Sequence, residues 1–230
     1  MITVLSPDLR NPGFPELDSP GDQFSPVAVG GDLSVERLLM AYSRGIFPWF
    51  SNDELIFWWS PDPRLVVFPE RFKVSRSLRK SIRNRGYSVT INKDFEAVIR
   101  NCATTLRPGE ERVSTWITNA MIDAYCELSR LGHAHSVETW HDGQLVGGLY
   151  GVSLGKVFFG ESMFSTRTDA SKVALCHLVA KLREWNFVLI DCQIKTSLLS
   201  SMGAEQIERT EFLTLVRRAI VRNSDDEDWT

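Results

Sequence analysis

The sequence predicts a mixed α/β protein of the α+β kind, in which helices pack on a largely antiparallel sheet. Three observations predict it. Residues 134–165 hold three successive strand-like runs, "AHSVETW", "LVGGLYGV" with its continuation "SL", and "VFFGESMFS", joined by turn signals at "HDGQ" and Gly155-Lys156. That pattern is an antiparallel meander. Segments with apolar residues three and four apart stand on both sides of it. A last apolar run, "FVLIDCQI", is rich enough in Val, Leu and Ile to be a central strand.

A chain of 230 residues suits one large domain, or a medium one with a small companion. The division predicted is a small N-terminal domain over residues 1–70 and a larger one over 71–230. The first 33 residues are rich in Pro, Gly and Asp and show no sustained period, so they are expected to be mostly irregular. Ser34 is placed to cap a helix that runs to about Arg44, with Glu36 in its first turn and Gly45 as its stop. "LIFWW" and "RLVVF" are short strands on either side of a Pro-rich turn. Ser75 caps the next helix, with Leu78 and Ile82 inward and Arg76, Arg79, Lys80 and Arg83 on another face.

From Tyr87 the order becomes regular. "YSVTI" is a strand, and Asp94 caps a helix to about Cys102. After the loop "TTLRPGEERVST", Thr118 opens a helix with Met121, Ile122, Tyr125 and Leu128 inward, closed by Gly132. The meander follows. Asp169 then caps a long helix with Leu175, Leu178, Val179 and Leu182 inward, and the strand "FVLIDCQI", a short helix "SLLSSMG" and a last helix "FLTLVRRAI" complete the chain.

Composition narrows the function. The formal charge of −3 argues against bulk nucleic-acid binding, yet Arg71–Arg85 carries seven basic residues and no acid, which leaves a local basic face. No apolar run approaches the ~18 residues of a membrane helix, and the N-terminus lacks the pattern of a secretory signal. Four scattered cysteines with no CxxC pair suit free thiols in a reducing cytoplasm. The tail "NSDDEDWT" is acidic and expected to be frayed.

Two acids stand where apolar patterns leave little room for them. In "FFGESMFS", strict alternation puts Phe159, Glu161 and Met163 on one strand face, so the carboxylate needs a partner, with Arg167 or Lys172 as nearby candidates. In "LIDCQ", the same alternation puts Asp191 and Gln193 on one face. This pair is either a structural hydrogen bond at a strand end or a functional one. In the functional version Asp191 accepts from the Gln193 side-chain amide and aims its carbonyl oxygen at an attacking amine. Such a site suits aminolysis of an activated ester, which needs alignment and oxyanion stabilisation and no covalent nucleophile. The sequence has no GxSxG motif. His133 and His135, two apart in "GHAHS", fit core or turn positions better than half a metal site.

The element order resembles the GNAT acyltransferase architecture. More specifically, "GGDLSVERLLMAYSRGIFPWF", "WWSPDPR", "SRSLRK", "TWI", "AHSVETW", "LVGGLYGV", "GESMFS", "ASK" and "IDCQ…SMGA" together resemble the leucyl/phenylalanyl-tRNA–protein transferase family, over about Gly30 to Ala204. The resemblance implies a GNAT-like catalytic domain that moves Leu or Phe, with Met as a further candidate, from aminoacyl-tRNA to proteins beginning with Arg or Lys, marking them for N-end-rule degradation. It implies no cofactor, neither metal nor ATP. By motif, Asp191 and Gln193 are the catalytic pair and Glu161 belongs to the same site. Trp49 and Trp116 flank the terminal adenosine of the tRNA. Met163 and the apolar face around it, with Phe159, line the pocket for the Leu or Phe side chain. Arg76, Arg79, Lys80 and Arg83 grip acceptor-stem phosphates. The chain departs from the family pattern at Leu198–Leu199 and Ser129, where the family commonly has a histidine.

Two rivals remain open on sequence. An acyl-CoA-dependent N-acetyltransferase on the same fold needs a glycine-bearing pyrophosphate turn, and the corresponding "STRTDASK" has no glycine. A non-enzymatic RNA-binding module accounts for the basic helix and the tryptophans but leaves the polar pair on an apolar strand unexplained.

Overall fold

The computed structural model describes residues 2–6, 13–17, 20–51, 55–106, 115–221 and 227–229. Most of the loop expected over residues 104–115, and residues 223–226 and 230 of the acidic tail, lie outside the described residues. The N-terminal part contains strands β1 (Thr3–Leu5) and β2 (Ala28–Gly30), helix α1 (Val35–Ser43), and strands β3 (Phe47–Pro48), β4 (Phe57–Trp59) and β5 (Arg64–Val67). Then come α2 (Arg76–Asn84), β6 (Ser88–Ile91), α3 (Phe95–Thr104), α4 (Asn119–Arg130) and the strands β7 (Ala134–His141), β8 (Gln144–Leu154) and β9 (Val157–Ser165). The chain closes with α5 (Ala170–Glu184), β10 (Leu189–Gln193), α6 (Ser197–Ser201), β11 (Glu205–Ile207) and α7 (Arg209–Ala219).

The helix starts follow local chemistry. Side chains of Ser75, Asp94 and Thr118 accept from the backbone N–H three residues on, at 3.2, 3.0 and 3.2 Å. Ser34 stands at the N-cap of α1 but makes no cap bond, because its hydroxyl donates to Asp32 Oδ1 at 2.5 Å. Asp169 also differs from expectation. It adopts a left-handed conformation (φ 65) before α5, and its carboxylate binds Lys172 and Ser81, each at 2.8 Å, in place of a cap. In α2 the inward residues are Leu78 and Ser81, whereas Ile82, expected inward, is 38% exposed.

Two sheets form. The smaller has the order β1-β2-β4-β3, and the larger β11-β5-β10-β9-β8-β7-β6. The first 33 residues, expected to be irregular, thus supply two short strands. Strand β5, on the N-terminal side of the division at residue 70, runs between β10 and β11 in the larger sheet. The β7–β8 turn has Asp142 and Gly143 both at positive φ, 52 and 75, as a two-residue hairpin turn of the primed kind requires.

Strands β9 and β10 are parallel, and they pair only through Leu189–Val157, Ile190–Phe158 and Asp191–Phe159. Beyond that point they part, while β9 runs on to Ser165. Two bulges mark the parting. On β9, Gly160 faces Gly151 and Ser162 faces Tyr150, so Glu161 has no partner on β8. On β10, Asp191 faces Val66 and Gln193 faces Leu65, so Cys192 has none on β5. A bulge shifts side-chain parity by one. Phe158 and Met163 therefore share the α5 side of the sheet, with Leu175 and Leu178, while Phe159 and Phe164 share the other side, with Tyr42, Val98 and Tyr125.

Gly151, beneath the β9 bulge, leaves room for no side chain. A Cβ there would press on the Phe159 carbonyl oxygen and come within 2.5 Å of Phe158 Cε1. Gly151→Ala is expected to lower stability by about 3 kcal/mol, read from urea unfolding; an unchanged midpoint would refute this packing.

The acidic tail is not frayed where it is described. Trp229 stacks on His135 with ring centroids 3.9 Å apart, its carbonyl accepts from Asn92 Nδ2 at 2.8 Å, and Glu227 pairs with Lys156 at 2.8 Å. The Trp229 ring also meets Phe158, Trp185 and Phe187, so the tail covers a ring cluster beside β7 and β9. Burial pushes the His135 pKa down to about 4, which keeps the ring neutral.

Candidate active site

The parting of β9 and β10 opens a cavity of about 440 Å³. One end is apolar, with Met163, Leu175, Leu178 and Leu198 among its walls. The other reaches Glu161, Gln193, Trp49 and Trp116. Lining residues thus come from both cores, so the cavity passes between the two faces of the sheet through the gap in the strand pairing.

Glu161, set out of the ladder by its bulge, is held by two helices. Tyr42 of α1 donates to Oε1 at 2.7 Å and Tyr125 of α4 donates to Oε2 at 3.1 Å, and the two hydroxyls also contact each other. Burial raises its pKa to about 7, against the pull of the two tyrosine hydrogen bonds. The partners expected from sequence are elsewhere: Lys172 binds Asp169, and Arg167 lines a different cavity. The tyrosines themselves stay protonated, since burial holds both pKa values well above the ordinary phenol value.

Asp191 is fully buried and does not line the cavity. Arg64, at the first position of β5, grips it with both arms, Nε to Oδ1 at 2.8 Å and Nη2 to Oδ2 at 2.7 Å. The guanidinium lies between the rings of Phe47 and Phe212, 5.0 and 4.6 Å from their centroids. Asp191 Oδ1 also accepts from the Gln193 backbone N–H at 2.9 Å. This corrects the geometry expected from strict alternation: the contact runs through the Gln193 main chain, not its side-chain amide. The Cys192 bulge is the cause, because it turns Gln193 to the cavity side at φ 55. A left-handed conformation is unfavourable for a residue with a side chain, and the hydrogen bond to Asp191 offsets part of that cost. Cys192 lines the cavity, but burial pushes its thiol pKa far up, so it is a poor nucleophile.

The structure brings Glu161, Gln193, Trp49, Trp116 and Met163 to one cavity. Phe159 is not among them. It is fully buried against Tyr42, with centroids 5.1 Å apart, and Phe158 takes the wall position because of the Glu161 bulge. Leu198 and Leu199, where the chain departs from the resembled pattern, line the same cavity. Arg76, Arg79, Lys80 and Arg83 are exposed on α2, outside the cavity. Sequence reasoning missed Arg64, Tyr42 and Phe47. The available signal for Arg64 was an arginine opening the apolar run "RLVVF". Among the described residues, no helix is long and apolar enough to cross a membrane.

Parallel central strands that part in mid-sheet, within this order of elements, make a mixed α/β fold of the GNAT-like kind expected from the sequence. Comparison with known sequences narrows that class. The family model of the leucyl/phenylalanyl-tRNA protein transferases matches residues 66–217, and that of their N-terminal domain matches residues 31–62; the chain belongs to this family. A leucyl/phenylalanyl-tRNA–protein transferase of Syntrophobacter fumaroxidans is 57% identical over 88% of this chain and 86% of its own length. Another from Methylococcus capsulatus is 47% identical over 100% of this chain and 97% of its own. Among solved structures, a GCN5-related N-acetyltransferase from Kribbella flavida superposes on 70% of this chain and 56% of its own, with a TM-score of 0.41 and 12% identity.

Proposed function

We propose that the protein transfers Leu or Phe from aminoacyl-tRNA to the α-amine of proteins that begin with Arg or Lys, marking them for N-end-rule degradation. The observation that carries this reading is the cavity itself. Its apolar end, walled by Met163, Leu175, Leu178 and Leu198, suits an unbranched-β apolar side chain, and its other end presents Glu161 and Gln193 beside Trp49 and Trp116. An aminoacyl ester seated with its side chain in the apolar end has its carbonyl near the polar pair.

The roles follow from chemistry. The tryptophans offer faces for the terminal adenosine, a contact worth about 1–3 kcal/mol per stacked base. The acceptor amine attacks the ester carbonyl, the C–N bond forms, and the ribose oxygen leaves and takes up a proton. Gln193 accepts a hydrogen bond from the amine through its side-chain oxygen and orients it, as an amide too weak to act as a base. Glu161 neutralises the acceptor's ammonium or basic side chain and, with a pKa of about 7, is matched to accepting a proton near neutrality. Arg64 and Asp191 fix the backbone that carries Gln193. The four basic side chains of α2 attract the acceptor stem through its phosphates without reading sequence.

Incubation with labelled Phe-tRNA and a protein beginning with Lys, in the absence of ribosomes, tests the reading. Label is expected to enter the protein at its N-terminus, and much less when the protein begins with Glu. Transfer of an acetyl group from acetyl-CoA in its place would overturn it.

A further inference from the structure

A second cavity lies apart from the site described above. It measures about 580 Å³ and forms where the end of α2, the start of β6, the β7–β8 turn and the loop from β9 to α5 meet. Its walls include Arg85, His141, Thr166, Arg167 and Asn84. None of its lining residues is an acid. The nearest acid in the loop, Asp169, is occupied by Lys172 and Ser81. Asp142, the acid beside His141, is 87% exposed and pairs with its Nε2 at 3.3 Å.

The walls are braced. Arg85 Nε donates to Ser81 Oγ at 3.2 Å, and Ser81 in turn donates to Asp169. This bond ties the guanidinium to α2 through Nε, and Arg85 is a wall of the cavity. The Tyr87 hydroxyl donates to the Thr168 carbonyl at 3.0 Å and the Thr166 hydroxyl to the Val146 carbonyl at 3.1 Å, so the loop is pinned at two points. Two guanidinium groups and an amide around one polar hollow suit an anion, and planar guanidinium forks match phosphate oxygens.

The charged groups at the hollow are the side chains of Arg85 and Arg167, and two guanidinium forks around one hollow suit a single phosphodiester. Asn84 and Arg85 also continue directly from Arg83 on α2, so the hollow is the end of a basic track.

We infer that this second cavity seats one backbone phosphate of the RNA donor, held by Arg85 and Arg167. The inference rests on the proposed use of aminoacyl-tRNA, and its test separates the two. Affinity for deacylated tRNA is measured across a series of NaCl concentrations for the wild type, Arg85→Ala, Arg167→Ala and, as a control on an exposed helix face, Arg130→Ala. Each of the first two is expected to reduce the slope of log K against log salt by part of the ~0.7–0.9 that one phosphate contact contributes, and the two combined by no more than that whole, with an unchanged melting temperature and an unchanged slope for the control. If the wild type binds tRNA and both variants keep its slope, this inference is overturned and the functional reading stands. If the wild type does not bind tRNA at all, both fall. Acetyl-CoA that raises the wild-type melting temperature but not that of Arg167→Ala would assign the cavity to a pyrophosphate and overturn the phosphodiester.

Discussion

Arg64→Ala is expected to abolish transfer and to destabilise the fold by about 3–5 kcal/mol, the usual cost of stripping one partner from a buried ion pair. The reason is the isolation of Asp191. Its carboxylate is fully buried, and both oxygens are bound by Arg64 at 2.8 and 2.7 Å. Without the guanidinium, the only other hydrogen bond to it among the described residues is the Gln193 N–H. Urea unfolding measures the stability change. The positioning role needs a second readout, because a protein that fails to fold also fails to transfer. Arg64→Met combined with Asp191→Leu replaces the pair by apolar groups of similar size, an exchange that is often neutral or stabilising. That double variant is expected to recover most of the stability and none of the transfer, since the side-chain hydrogen bond that supports Gln193 in its left-handed conformation is then lost. Recovery of both would reduce the pair to a structural element.

This ion pair also shows where sequence reasoning stops. Arg64 and Asp191 are 127 residues apart, and no local pattern joins them. Helix caps are local, and Ser75, Asp94 and Thr118 were legible because each side chain meets an N–H only three residues away. The meander was legible for the same reason, with its strands joined by short turns. Alternation failed at two places, Glu161 and Cys192, where one extra residue reverses which face the following side chains occupy. The consequences were specific. Phe159 gave way to Phe158 as a wall of the cavity, and Asp191 and Gln193 ended on opposite sides of their expected contact. Those two bulges face one another across the parting of β9 and β10, so the pattern broke where the cavity opens. A strand of three residues such as β11 carries too little sequence to be seen, and Trp229 is placed by rings from β7, β9 and the end of α5 that only the fold assembles.

Glu161→Gln is expected to make the protein more stable above neutral pH while slowing transfer about 100-fold, the scale on which a positioned acid–base group acts. Burial raises the folded-state pKa to about 7, from 4.5 for an ordinary glutamate. The folded protein therefore keeps a proton that the unfolded chain gives up between those values. Stability contributed by this group is present at pH 4.5, falls as the pH rises to about 7, and then stays at its lower level. A difference of that size corresponds to about 3 kcal/mol. Glutamine has no proton to lose, and its side-chain oxygen still accepts from Tyr42 or Tyr125. The wild-type minus variant difference in urea unfolding free energy should therefore decline between pH 5 and 8, while titrations shared by both proteins, such as that of His135, cancel. Transfer should show the reverse dependence. In the proposed function the ionised carboxylate is the form that neutralises an incoming ammonium, so the wild-type rate relative to the variant should climb as pH passes about 7. Affinity for aminoacyl-tRNA should be nearly the same in both, because the proposed function seats the ester and its adenosine on the apolar walls and the tryptophans. A variant that loses donor affinity as much as it loses rate would place Glu161 on the donor and not on the acceptor. A stability difference that is flat with pH would mean that the two tyrosine hydroxyls keep the carboxylate ionised throughout.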